Sequence, residues 1–173
     1  MQIGVVTISD RVSRGEYEDK SGPAIELWLK AAISSPYEVV RETVPDGLEP
    51  VRDVVVRLCD ELQVDLVLTT GGTGPSPRDL TVEAMQAVSS KELPGFGELM
   101  RRVSLQQVPT AILSRQSAYV RGATLIINLP GSPGAITVCL QAVFPAVPYC
   151  LDLIGAGRME VDPLVVAAYR PKG

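Results

Sequence analysis

Histidine is missing from all 173 residues of this chain. Its absence excludes Ser-His and Cys-His nucleophile pairs, His-ligated zinc hydrolase sites and imidazole acid–base chemistry. Chemistry has to come from carboxylates, hydroxyls, arginines, lysines or a bound cation. Cysteine is scarce too. Cys59, Cys139 and Cys150 form no CxxC pair and leave an odd thiol over, so neither a thiolate zinc site nor a disulfide framework is expected, and a reducing cytoplasm fits best. Positive charge is short: 16 Lys+Arg against 20 Asp+Glu leave a net −4, with no basic field for nucleic acid or an anionic membrane. Long apolar runs are lacking as well. The run from Ile3 to Ser9 is too short for a signal-peptide core and reads as a strand. The most apolar region, Gly122 to Gly157, is interrupted by Pro130, Pro133, Pro145, Pro148 and several glycines, leaving no unbroken stretch of about 20 apolar residues to cross a bilayer. A soluble cytoplasmic protein is expected, and any polyanionic ligand must be held locally, by backbone amides, a few arginines or a divalent cation.

What is present is 46% hydrophobic and 21% charged, the balance of one globular domain that buries its own core. Apolar runs and helical patterns alternate. Strands are expected over Ile3 to Ser9, Tyr37 to Val44, Asp65 to Thr70, Pro109 to Ser114 and Thr124 to Leu129. Helices are expected from Ser21-Gly22-Pro23 through Ala32, from Glu49-Pro50 through Leu62, over Thr81 to Val88, over Pro94 to Gln106, and over Ala135 to Ile154 with a break or kink at Pro145 and Pro148. The charged stretch Asp10 to Gly22 reads as a surface loop before the first helix. The alternation predicts an α/β fold, a three-layer sandwich with a mainly parallel sheet and helices on both faces. Ligands in such folds sit at the C-terminal ends of the strands, and two strands here end in Gly/Pro/Ser-rich loops, Gly71 to Asp79 and Pro130 to Gly134.

The first loop, Thr69-Thr70-Gly71-Gly72-Thr73-Gly74, carries no bulky side chain, so its amides can approach a phosphate; the alternative is an ordinary tight turn. It is no Walker loop, since no Gly-Lys-Ser/Thr follows, and it misses the dinucleotide fingerprint. Arg78-Asp79 follows it, and Asp46 follows the second strand, so a parallel sheet can bring Asp46 and Asp79 to one edge as a pair for Mg²⁺, which takes one or two carboxylates plus substrate phosphates. Against that, Asp46 can belong to a Pro-Asp-Gly turn and Asp79 can cap locally. Ser114-Arg115 offers a cationic contact to phosphate, while Arg101 and Arg102 read better as a solvated face. Asn128-Leu129-Pro130-Gly131-Ser132-Pro133 can line a heterocycle pocket or serve only as a proline-stiffened turn. On residue chemistry alone, these features point to an α/β protein that binds a phosphorylated small molecule.

The joined motifs are more specific than their parts: TTGGTG at Thr69 to Gly74, PSPRDLT to Thr81, Glu83, PGFGELMR at Pro94 to Arg101, PTAILSRQ at Pro109 to Gln116 and LIINLPGSP at Leu125 to Pro133. With ISDR at Ile8 to Arg11, the Gly-x-Tyr-x-Asp-Lys stretch ending at Lys20, Val44-Pro45-Asp46, VPYC at Val147 to Cys150 and the terminal VVAAYRPK, the chain resembles the MoaB/Mog family of molybdenum cofactor biosynthesis over nearly its whole length, on the adenylyltransferase side. The resemblance implies the molybdenum cofactor biosynthesis protein fold and a reaction in which the terminal phosphate of molybdopterin attacks the α-phosphate of ATP. Pyrophosphate leaves, and adenylylated molybdopterin remains. It implies Mg²⁺, a homotrimer, and a molybdenum insertase as a downstream partner.

Asp46 and Asp79 match the family's two acidic positions. The implied substrate-binding set is Thr70, Gly71, Gly72, Thr73, Gly74, Arg78, Thr81, Glu83, Ser114, Arg115, Asn128, Pro130, Gly131, Ser132 and Pro133. Phe144-Pro145-Ala146 leads straight into Val147, shorter than in members with an insertion there, which bears on trimer packing. Two other readings stay open at this level. One is a non-catalytic molybdopterin carrier; the other is a nucleotide pyrophosphate hydrolase that needs no pterin.

Overall fold

The computed structural model describes residues 1–172. In chain order the elements are β1 (Gln2–Ile8), α1 (Asp10–Ser13), α2 (Ser21–Ala32), β2 (Glu38–Val44), α3 (Leu48–Val56), β3 (Leu66–Thr70), α4 (Thr81–Val88), β4 (Lys91–Leu93), α5 (Pro94–Leu105), β5 (Ala118–Arg121), β6 (Thr124–Leu129), α6 (Pro133–Val143) and α7 (Val147–Ile154). The six strands form one sheet in the order β2-β1-β3-β6-β5-β4. β2, β1, β3 and β6 run parallel, and β5 and β4 add antiparallel at one side.

Every residue of β3 and β6 is buried, as a strand covered on both faces requires. Alternate side chains feed two cores. Ile3, Val5, Leu66, Leu68, Leu125 and Ile127 meet α2, α5, α6 and α7, where Trp28 and Phe144 pack edge to face with ring centroids 4.5 Å apart. Val6, Ile8, Val67 and Ile126 meet α3 and α4 on the opposite face. The three-layer expectation is met.

The parallel strands end level, with Ile8 opposite Val44, Thr7 opposite Thr70 and Thr70 opposite Leu129. From β1 the chain goes to β2 on one side, whereas β3 and β6 lie on the other. The loops leaving β1 and β3 therefore diverge and open a crevice above the sheet, the position where parallel α/β sheets bind ligands.

Several local expectations need correction. Pro109 to Ser114 is not a strand: Pro109–Leu113 forms a 3-10 turn. Pro109 has the fixed φ of a first helical residue, and no strand lies beside this segment to supply a ladder. The helix from Glu49-Pro50 is regular only to Val56 and ends in a π-type turn over Arg57–Glu61. The expected loop Asp10 to Gly22 starts with the single turn α1, capped by Ser9.

The last helix breaks where its prolines require, with α6, a 3-10 turn over Phe144–Ala146, then α7. Pro133–Ile154 is apolar enough by composition and length to cross a membrane. In the fold its side chains Ile136, Leu140, Val143, Phe144, Val147 and Leu151 are instead part of the core.

Both sheet borders carry charge. β2 exposes Glu38 and Arg41, and the three-residue β4 exposes Lys91 and Glu92.

Candidate functional site

The loop after β3 turns on two glycines that no other residue can replace without strain. Gly71 has φ +102° and a Cβ there would land on the carbonyl oxygen of Ile8; Gly72 has φ +64° and a Cβ would land on Thr81 Oγ1. Thr81, fully buried at the start of α4, donates through that hydroxyl to Gly71 O at 3.0 Å, and its amide donates to Gly72 O at 3.1 Å. The turn is thus pinned from below. The Gly71 amide makes a 3.4 Å bond to Leu129 O, whereas the amides of Gly72, Thr73 and Gly74 find no acceptor among the described residues. Three consecutive donors without a partner, at the end of a buried strand, form a place for an anion.

Arg115 holds the far side of this loop. Its amide donates to Thr73 O at 2.8 Å, Nε to Gly74 O at 3.0 Å and Nη2 to Asp79 O at 2.6 Å, and the guanidinium pairs with Glu83. The hydrogen bond from Arg115 holds the Glu83 carboxyl below its ordinary value and raises the guanidinium. Arg115 is consequently spent as a brace of the loop. Asp79 closes a small turn, with Oδ2 accepting from the Ser76 amide at 3.0 Å. A Cβ on Gly74 would stand 2.8 Å from that same oxygen, so the Asp79 carboxylate lies against the amide loop.

Two clefts flank the Pro130–Gly134 loop. The first, about 420 Å³, is lined by Asp46, Thr70, Gly71, Gly131, Ser132 and Pro133 together with Asp19, Lys20 and Arg11 from the segment after β1. Thr70 Oγ1 donates to Pro130 O at 2.8 Å and Ser21 Oγ to Gly131 O at 2.8 Å, fixing the loop between β3 and α2. Asp19 accepts from Thr7 Oγ1, from the Ser21 and Gly22 amides and from Arg41. Partial burial works to raise its carboxyl, but the Arg41 guanidinium and the Gly22, Thr7 and Ser21 donors together hold it below the usual range. The second cleft, about 500 Å³, is more apolar; Thr73, Gly74, Ser114, Gln116, Pro130, Ser132 and Val138 are among its walls. Ser114 Oγ lies 2.9 Å from Gln116 Oε1.

The residues expected from sequence are divided between the two clefts and the loop beside them, with several differently employed: Asp79, Gly72, Arg78, Thr81, Glu83 and Arg115 line neither cleft. Thr70, Gly71, Gly131, Ser132, Pro133 and Asp46 share one cleft, and Thr73, Gly74, Ser114, Pro130 and Ser132 the other. Asn128 is fully buried and lines neither: its Nδ2 donates to Thr69 Oγ1 at 2.9 Å and its Oδ1 has no partner. Arg78 pairs with Asp10, as Arg115 pairs with Glu83. The cations left over are two that residue-by-residue reading passed by, Arg11 and Lys20. Both line the Asp46 cleft, both are exposed, and neither has a carboxylate partner among the described residues. Arg11 lies 4.9 Å from the Tyr17 ring centroid. Their signal lay in the ISDR and Gly-x-Tyr-x-Asp-Lys stretches, legible as motif before it was legible as charge.

For Mg²⁺ the donor set can be tested directly. Asp46 Oδ2 accepts from the Asp10 amide and Asp79 Oδ2 from Ser76, leaving one oxygen of each carboxylate without a hydrogen bond among the described residues. No group of three or more acidic, Cys or His side chains gathers among those residues. An all-protein cage is absent there; Asp46 lines the first cleft and Asp79 lines neither, and the spare oxygen of each is the donor it could offer an ion that takes most of its ligands from water and substrate phosphate.

Known proteins share this arrangement of sheet and loops. The family model described as "Probable molybdopterin binding domain" matches residues 4–149. The chain belongs to this family. Among curated members, the molybdopterin adenylyltransferase of Helicobacter pylori is 54% identical over 172 residues, covering 99% of this chain and 98% of that one. The molybdopterin adenylyltransferase of Escherichia coli K12 is 46% identical, covering 99% and 94%. That alignment spans 184 positions against 173 residues here, so the E. coli member has residues without counterpart in this chain. Among solved structures, the molybdopterin biosynthesis enzyme MoaB of Thermus thermophilus superposes with a TM-score of 0.83 at 42% identity, covering 92% of this chain and 99% of that one. The residues that build both clefts all fall within the matched span.

Proposed function

We propose that this chain is a molybdopterin adenylyltransferase, transferring AMP from ATP to the terminal phosphate of molybdopterin. The observation that carries the proposal is the run of unpartnered amides at Gly72, Thr73 and Gly74, set between two clefts and beside Asp79. Two substrates have to meet at one phosphorus, and two clefts that share Ser132 provide for that. The identity to curated adenylyltransferases over the full chain supports the same reading.

In the reaction a phosphate oxygen of molybdopterin bonds to the α-phosphorus of ATP, the bond from that phosphorus to the bridging oxygen breaks, and pyrophosphate leaves with the electron pair. The nucleophile is already ionised at neutral pH, so a chain without histidine is not handicapped; catalysis rests on alignment and neutralisation of charge. The Gly72 to Gly74 amides donate to phosphate oxygens without steric cost. Arg11 and Lys20 neutralise the polyphosphate in the Asp46 cleft, while Arg115 and Glu83 keep the amide loop rigid. Asp46 and Asp79 would hold Mg²⁺ through their spare oxygens, and the ion supplies further neutralisation of the triphosphate when bound.

The same reading includes a single domain, because one sheet serves both cores, and a cytoplasmic homotrimer that delivers its product to a molybdenum insertase. It includes neither nucleic acid nor a membrane as partner, in keeping with the net charge of −4. Incubation with molybdopterin, ATP and Mg²⁺, followed by mass spectrometry, tests the function. Adenylylated molybdopterin that appears only when both substrates are present supports it. Pterin binding without product would make the chain a carrier, and ATP cleavage without pterin a hydrolase.

A further inference from the structure

Asp10, the first residue of α1, lies outside the set of residues that meet phosphate or metal in the reaction above, yet both of its carboxylate oxygens are committed. The β1–β2 ladder ends at Ile8 opposite Val44, and the Ser9 amide still reaches Val44 O at 2.9 Å. Beyond that point side chains take over from the backbone. The Asp10 amide donates to Asp46 Oδ2 at 2.9 Å, and the Asp46 amide donates back to Asp10 Oδ1 at 3.1 Å. Asp10 Oδ2 accepts from Arg78 Nη1. Asp10 therefore touches both acidic loops: it fixes Asp46 through a reciprocal pair, and it tethers the residue immediately before Asp79.

We propose that Asp10 is a positioning residue of the transfer reaction, one that sets the spacing between the Asp46 and Asp79 loops. The proposal rests on the adenylyltransferase reading above. Two carboxylates this close repel unless something offsets their charge. Here each accepts the other's amide, and Arg78 neutralises Asp10. Asp46 keeps its second oxygen for other work, whereas Asp10, with its side chain only 16% exposed, keeps none. Arg78 has a side chain 69% exposed, and among the described residues its ion pair is with Asp10 alone. Removing Asp10 therefore frees Asp46 and the Arg78 segment together, while Arg115 continues to hold Asp79 O from the other side.

The test uses the full chain with molybdopterin, ATP and Mg²⁺, comparing Asp10→Ala, Asp10→Asn, Arg78→Ala and the Asp10→Asn/Arg78→Ala double variant, with thermal melting of each. Asp10→Asn still offers an oxygen to the Asp46 amide but no charge to Arg78, so it should behave like Arg78→Ala. We expect kcat to fall about fivefold in each, with no further fall in the double variant. Asp10→Ala, which also releases Asp46, should lower kcat by about thirtyfold, with KM for ATP changed by less than about threefold in every variant. If Asp10→Ala folds poorly, the Asp10→Asn/Arg78→Ala cycle decides alone.

Multiplying losses in that cycle would overturn the proposal, as would a rise in KM in place of a fall in kcat, or an Asp10→Ala enzyme within about twofold of the wild type. A wild-type protein that yields no adenylylated product would instead overturn the reading beneath it, before any variant is made.

Discussion

Replacing Gly72 by alanine separates the strain in the phosphate loop from its function. Two costs are expected. Holding an alanine in the left-handed region at φ +64° costs roughly 1–2 kcal/mol. The new methyl lands on Thr81 Oγ1, so Thr81 has to move and its bond to Gly71 O is lost, about 1 kcal/mol. The sum, about 2–3 kcal/mol, corresponds to a fall in Tm of roughly 5–10 °C for a chain of this length. Thr81→Ala alone forfeits the same bond and a buried methyl, about 1–2 kcal/mol. In the double variant Gly72→Ala/Thr81→Ala the collision is gone and the shared bond is lost only once, so the two effects should fall short of additivity by about 1 kcal/mol. Urea denaturation of the four proteins measures this directly, and adenylyl transfer measured alongside should drop at least about tenfold in Gly72→Ala as the amides turn away. Strict additivity, or a Gly72→Ala protein as stable as the wild type, would refute the assignment of Thr81 as the support of the loop.

Other expectations follow from the site and its surroundings. Asp79→Asn, which keeps an oxygen for the Ser76 amide, should retain the fold and lower turnover at least about a hundredfold, roughly 2.7 kcal/mol of transition-state stabilisation; turnover near wild type would remove Asp79 from the chemistry. The thiols should be inert in the native protein. Burial pushes Cys59 up to about 11 and raises Cys139 and Cys150, so iodoacetamide at pH 8 should label them only after unfolding, as mass spectrometry can show. Asp19 should contribute an acid-sensitive increment of stability. Its folded carboxyl lies below the ordinary value of 3.8, so the contribution is complete above that pH and is lost as pH falls through the lower folded value. Asp19→Asn should flatten that part of the stability–pH curve, and an unchanged acid limb would show that Arg41 and the amides do not act on this group.

The sequence made the parallel part of the fold legible because buried strands such as Leu66–Thr70 and Thr124–Leu129 are continuous apolar runs bounded by turn residues. It did not reveal β4, whose Lys91, Glu92 and Leu93 carry no apolar pattern and are a strand only because β5 lies beside them. Pro109 to Ser114 misled in the opposite direction: an apolar stretch of strand length, but with no neighbour to pair with. At the site, glycine spacing and the two aspartates could be read directly, because a φ requirement and a carboxylate are properties of single residues. The fate of the arginines could not. Whether Arg78 and Arg115 are free or already paired depends on Asp10 and Glu83, 68 and 32 residues away in the chain. The same holds for Arg11 and Lys20, which matter because tertiary structure sets them beside Asp46 with no carboxylate partner among the described residues.

The charged borders of the sheet limit how copies of this chain can meet. An edge strand recruits another chain through its open amides and carbonyls, and short strands or charged side chains discourage that. Here β4 is three residues long with Lys91 and Glu92 outward, and β2 presents Glu38 and Arg41. A sheet continuing from one copy into the next is disfavoured at both ends. Association of copies through helices and loops would leave the hydrogen-bonded framework of each subunit closed on itself. Each copy keeps its own crevice above its own four level strand ends, so the floor of the site is complete within one chain.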